Sequence, residues 1–159
     1  MSVSTVKEYL HSFGFDGRVL EFDVSSATVE LAAKALGTEP ARIAKTISLD
    51  DRNGGCILVV AAGDVKIDNK KFKERFGIKA TMLPPDQVLM LTGHAVGGVC
   101  PFALPVGTPV YLDESLTRFD VVYPAAGSSN SALPLSCEEL LIASAALGYV
   151  DVCKPREMM

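Results

Sequence analysis

The chain has 159 residues and a mass of 16.9 kDa, with 48% apolar residues. That is enough to bury a core as one domain, 1–159, without disulfides or a structural metal, and too apolar for a disordered tail. A formal charge of −4 and a pI near 5.1 argue against coating long stretches of nucleic acid, so no DNA partner is expected, while a contact confined to the end of an RNA stays compatible.

The first element reads as an amphipathic helix with Val3, Val6, Leu10 and Phe13 on one face, a capping box from Thr5 to Glu8 and a stop at Gly14. Val19 to Val24 alternates as a strand. Ser25, Ser26 and Thr28 then supply caps for a second helix carrying Val29, Leu31, Ala32, Ala35 and Leu36, which Gly37 ends. A third short helix is predicted from Thr38, with Pro40 in its first turn.

Ala44 to Leu49 reads as a strand. If Ile47 and Leu49 face the core, alternation puts Lys45 on that face and Thr46 on the other. A lysine aimed at a half-buried face is costly unless it meets an anion or a cleft, or snorkels to water from the strand end. Both readings stay open from the residues alone. Asp51 to Gly55 is a hairpin turn and Cys56 to Ala62 an apolar return strand, so the two strands pair antiparallel. Lys66 to Lys79 holds the basic cluster, with Phe72 and Phe76 anchoring a helix. It reads first as a solvated face, and it is also the place where an RNA backbone would lie.

A strand is predicted for Ile78 to Leu83 and a short helix from Pro84-Pro85 through Leu91. Gly93 to Pro105 (GHAVGGVCPFALP) follows, a loop without period or formal charge. Its pair Gly97-Gly98 admits backbone conformations closed to other residues and lets a ligand approach the main chain, although a tight core connection has the same composition. Strands are predicted at Pro109–Leu112 and Asp120–Tyr123, with a helical turn at Asp113–Leu116 between them. A hydroxyl-rich loop spans Ala125–Ser131 and an extended piece Leu133–Leu135. The last helix opens with a capping box from Ser136 to Glu139 and runs to Gly148, and Val150–Val152 forms an edge strand.

Cys56, Cys100, Cys137 and Cys153 lie far apart, without a CxxC pair or metal-ligand spacing, so free thiols in a reducing, cytoplasmic setting are expected. With His11 and His94 as the sole histidines and no ligand-spaced cluster, neither metal nor cofactor is expected. The opening Ser2–Tyr9 is polar and mixed, unlike a leader, and no apolar run reaches the length of a membrane span.

Five motifs in order resemble the YbaK family: LAAKALG (Leu31–Gly37), IAKTISL (Ile43–Leu49), TGHAVGGVCPF (Thr92–Phe102), YLDESL (Tyr111–Leu116) and AAGSSNS (Ala125–Ser131). This superfamily includes the editing domain of bacterial prolyl-tRNA synthetases and its free-standing relatives, which clear wrong amino acids from tRNA. The resemblance covers about residues 20 to 153. It implies an α+β fold whose mixed, mostly antiparallel sheet curls toward a barrel with helices packed around it. It also implies aminoacyl-tRNA deacylation, with the acceptor end of an aminoacyl-tRNA as partner, and it leaves room for an aminoacyl-tRNA synthetase as a second partner.

Residue by residue, the family lysine matches Lys45 in the pair Lys45-Thr46, the GxxxP loop matches Gly97 to Pro101, and Gly127 matches the glycine of the small-residue loop. On this resemblance Lys45, Gly97 and Gly98 would carry catalysis. Ser26, Thr28, Thr46, His94, Val99, Cys100, Pro101, Gly127 and Ser128 would bind the substrate. His94 replaces the tyrosine of cysteine-specific relatives, Ala125 their serine and Ala132 their aspartate, and their aromatic near the second helix is missing around Ser25–Thr28. The side chains that select the amino acid are the ones that differ. Two rival readings have other chemistry: a thiol hydrolase with Cys100 as nucleophile and His94 as base, and a tRNA- or nucleotide-binding module of the same fold without turnover.

Overall fold

Caps and glycines set the helix ends in the computed structural model of the chain, which describes residues 3–156. Helix α1 spans Val3–His11, so Thr5 sits inside the helix rather than capping it. Helix α2 (Val29–Leu36) starts at Thr28, whose hydroxyl accepts the Leu31 N–H, and closes at Gly37. Helices α3 (Asn69–Phe76) and α4 (Pro85–Thr92) close at Gly77 and Gly93 in the same left-handed conformation. Helix α5 (Cys137–Ala143) has the Ser136–Glu139 capping box the sequence predicts. It stops before Gly148, because the chain turns at Ala145 (φ 53°) and Leu147 N–H bonds Val110 C=O. The helix expected from Thr38 is a single 3-10 turn, Pro40–Arg42.

The strands are β1 (Leu20–Glu21), β2 (Ile43–Asp50), β3 (Cys56–Ala62), β4 (Val65–Ile67), β5 (Val110–Asp113), β6 (Tyr123–Pro124), β7 (Ser131–Ala132), β8 (Tyr149–Val150) and β9 (Cys153–Pro155). The hairpin β2–β3 is the long antiparallel ladder, with seven pairs from Ala44↔Ala62 to Asp50↔Cys56. It lies inside a five-stranded sheet of order β6-β2-β3-β5-β8 whose three other pairings are parallel and short. Two antiparallel ribbons, β1–β7 and β4–β9, complete a mixed α+β architecture. Leu58 to Ala62 are fully buried, as a strand paired on both edges and covered on both faces must be. Each large apolar side chain buried there stabilises the fold by about 1.5–3 kcal/mol relative to exposure.

The predicted strand Ile78–Leu83 does not form a ladder. It touches β2 through the bridge Leu49↔Met82, with Asp50 N–H bonding Thr81 C=O and Leu83 N–H bonding Ser48 C=O, before Pro84 and Pro85 end any pairing. This strap occupies the end of the β2 edge that faces away from β3. At the other end of that edge, Ile43 and Ala44 pair with β6. On that edge, between strap and β6, no strand among the described residues pairs with Lys45 to Ile47, and the sheet is notched there beside Thr46, whose other edge pairs with Val60.

Candidate functional site

The notch opens into a cleft of about 300 Å³, a size suited to a small ligand. Its floor is β2, where Ala44, Thr46 and Ser48 share one face by period-two alternation. Its walls are the start of α2 (Thr28, Val29, Ala32), the strap and α4 (Met82, Leu83, Pro85, Val88), and Tyr123 and Ala125 beyond β6. Val96, Gly97 and Val99 close it from the glycine-rich loop. Among the lining residues Lys45 supplies the single formal charge.

Three loops meet at this end of the sheet, and small residues let them. Gly97 has φ 94°, and a Cβ there would stand 3.3 Å from Ala27 Cβ. A Cβ on Gly98 would fall 2.8 Å from Ser128 Cα, so the glycine loop and the hydroxyl-rich loop pack backbone to backbone. The segment before α2 joins them where Ser26 N–H bonds Ser129 C=O at 2.5 Å. Gly98 N–H bonds Ala95 C=O at 3.0 Å, so of the two glycines expected to carry catalysis, Gly98 has its N–H already engaged. Gly97 N–H has no partner among the described residues.

Lys45, a lining residue of the cleft, sits half-buried on the face of β2 shared with Ile47 and Leu49, and its Nζ donates to Val65 C=O, outside the lining. Burial holds its pKa below the usual lysine value, and the nearby Arg156 adds to that, against Cys153, Asp64 and Glu30. Asp64 and Glu30 are themselves tied up: Asp64 takes Arg118 at 2.6 Å and Glu30 takes Arg156 at 2.7 Å. Lys45 is thus left without an ion pair of its own among the described residues, its ammonium held by the Val65 carbonyl.

Thr46 stands out among the hydroxyls. Thr28 Oγ1 caps α2 and Ser26 Oγ donates to Ser129 C=O at 3.3 Å, while Thr46 Oγ1 is buried with no hydrogen-bond partner. Such an orphan costs about 1–3 kcal/mol. Ser48, two residues along on the same face, likewise has no side-chain partner among the described residues. The alternation that marks Thr46 points equally to Ser48, which the motif-based reading passed over. Ser131, Tyr123 and the strap carry no local signal of the cleft.

The structure divides the expected site residues into three groups. Ser26, Thr28, Lys45, Thr46, Gly97 and Val99 line the cleft. Gly98, Gly127 and Ser128 lie behind it, in the packing of one loop on the other. Ser128 turns its hydroxyl inward, to Asn130 Oδ1 at 2.7 Å and Ser131 Oγ at 2.8 Å. His94, Cys100 and Pro101 do not line the cleft, contrary to the sequence-based expectation, because the loop folds them into the core. His94 and Cys100 are 0% exposed.

This burial counts against a thiol nucleophile. His94 Nε2 donates to Phe102 C=O at 2.8 Å, so the proton-accepting nitrogen is Nδ1, which has no partner, while Cys100 Sγ lies 3.5 Å from Nε2, the wrong nitrogen for a base. Burial pushes the Cys100 thiol up to about 12 and holds the His94 imidazole below its ordinary value. Neither group is poised for nucleophilic attack.

Known proteins resemble this chain in sequence and in fold. Residues 24–142 match the family described as the aminoacyl-tRNA editing domain. The uncharacterized protein YwhH of Bacillus subtilis (strain 168) is 49% identical over 157 residues, covering 99% of this chain and 100% of that protein. Among solved structures, a proposed trans-editing enzyme for prolyl tRNA synthetase superposes with a TM-score of 0.86 at 29% identity, covering 96% of each chain. The hypothetical protein APE2540 superposes with a TM-score of 0.83 at 33% identity, covering 94% of this chain and 99% of that one.

Proposed function

The chain belongs to the aminoacyl-tRNA editing domain family, and from that premise we propose that it is a trans-editing hydrolase. It would cleave the ester of a mischarged aminoacyl-tRNA, with tRNA-Pro carrying alanine, cysteine, serine or threonine as the first candidates. The observation that carries the reading is the cleft itself: one cation, Lys45, at the border of a neutral, hydroxyl-floored notch closed by the backbone of Gly97. An aminoacyl ester is activated, so positioning and charge stabilisation suffice without a covalent nucleophile.

In this mechanism the amino-acid side chain enters between α2 and the β2 floor, and the ester carbonyl lies against the Gly97 N–H. A water positioned with help from the terminal ribose 2′-hydroxyl attacks the carbonyl carbon. The resulting oxyanion collapses with cleavage of the bond to the ribose 3′-oxygen, which leaves with the proton given up by the water. Lys45 holds the terminal phosphate or the developing negative charge. Thr46 and Ser48 offer hydroxyls to whatever polar atom reaches the floor.

Deacylation of tRNA-Pro mischarged with each of the four amino acids, by wild type and Lys45→Ala side by side, tests this. Label release by the wild type and its loss in the variant is the expected result. Silence of the wild type on every member, and on other mischarged tRNAs, would overturn the hydrolase and leave a binding module.

A further inference from the structure

A chain with a net charge of −4 nevertheless carries a strip of unpaired lysines that begins beside the strand to which the cleft residue Lys45 bonds. Val65, whose carbonyl receives Lys45 Nζ, is followed in β4 by the exposed Lys66. Across the β4–β9 ribbon, Lys66 pairs directly with the exposed Lys154. Side chains opposed in an antiparallel pair have Cβ atoms about 4.5–5.5 Å apart, and like charges there are destabilising. The acids around them are engaged by other groups, with Asp68 also acting electrostatically on Lys154. Asp64 is held by Arg118, Glu30 by Arg156 and Asp151 by Lys71, and Asp68 caps α3 by accepting the N–H groups of Lys70 and Lys71. Exposed Lys70 and Lys73 on α3 extend the strip, and none of Lys66, Lys70, Lys73 and Lys154 makes an ion pair among the described residues.

We propose that the β4–β9 ribbon and α3 form the docking surface for the phosphate backbone of the tRNA acceptor stem, with Lys66 and Lys154 as its centre. The assignment rests on the editing reading for the identity of the RNA. Charge complementarity points to a polyanion: a like-charged pair is kept without an ion-pair partner, one residue from the carbonyl that holds the cleft's own cation. An RNA whose 3′ end occupies the cleft has to leave it along some surface, and this one lowers the free energy of each phosphate it passes. Base identity plays no part in such a contact.

The test measures binding and turnover separately. An acceptor-stem RNA hairpin ending in CCA, labelled for fluorescence anisotropy, is titrated with wild type and with Lys66→Glu/Lys154→Glu at two or more salt concentrations. Lys66→Gln/Lys154→Gln serves as the milder pair should the reversal disturb folding. Expected are a Kd raised about tenfold or more and a salt slope shallower by about two, one for each phosphate that is no longer neutralised. In deacylation, the double variant should raise KM for mischarged tRNA and leave kcat unchanged. It should also leave unchanged the hydrolysis of a 3′-aminoacyl adenosine, which has no stem. An unchanged Kd and salt slope would overturn the surface, and would be the outcome if the strip serves an acidic protein partner instead. Absence of turnover on both substrates by the wild type would sink the editing reading alone, since the hairpin titration still decides the surface.

Discussion

Gly98 and Ser128 touch through their backbones: a Cβ on Gly98 would stand 2.8 Å from Ser128 Cα, 2.9 Å from its carbonyl carbon and 3.0 Å from its nitrogen. These contacts are with backbone atoms that cannot rotate away, so the two loops have to part to admit any side chain. Gly98→Ala is expected to destabilise the protein by about 1–3 kcal/mol, the usual cost of overpacking, and to slow deacylation by at least about tenfold through displacement of Gly97. Urea denaturation and single-turnover kinetics on the same preparation check both. Wild-type behaviour in both would show that the loops are not held together here.

Thr46→Val replaces a buried hydroxyl without a partner by a methyl group. Stability should rise by up to about 1 kcal/mol or stay level, since an unsatisfied polar group is removed. Deacylation should fall about tenfold if the hydroxyl is kept for the substrate, that being the worth of one hydrogen bond of about 1.4 kcal/mol in the transition state. A stabilised variant with full activity on every mischarged tRNA would assign the orphan hydroxyl no role in the reaction.

His94 links folding to pH. Burial lowers its folded pKa below the ordinary value near 6.5, so the unfolded chain takes up the proton first. Stability from this residue is complete above about pH 6.5, falls as pH drops through that value, and levels off below the folded pKa. Urea midpoints at about pH 7.5 and about pH 5.5 should differ in wild type, with the lower midpoint in acid, and the difference should shrink in His94→Gln. An equal drop in both proteins would place the acid sensitivity elsewhere.

Cys100 should be inert in the native protein. Full burial and a thiol pushed up to about 12 leave almost no thiolate at about pH 8, so iodoacetamide should label Cys100 only after urea is added. Cys100→Ala should keep most deacylase activity. Rapid native labelling at this position, with loss of activity in step, would restore the thiol mechanism.

Much of the architecture is written locally. The cap at Thr28, the capping box Ser136–Glu139, the stops at Gly37 and Gly93 and the β2–β3 hairpin each depend on a few neighbouring residues, whose preferences survive packing. The ordered motifs from Leu31 to Ser131 were likewise enough to identify the family, and alternation along β2 already separated Lys45 from Thr46. What the sequence could not disclose is where distant segments land. The notch at Thr46 exists because β6, nearly eighty residues on, covers one end of β2 while the strap at Met82 covers the other. Nor could it show that Gly93–Pro105 turns Val96, Gly97 and Val99 to the cleft and His94 and Cys100 to the core. A loop without a period has no face of its own; the elements it packs against decide which side chains are inside, and that choice exists only in the tertiary structure.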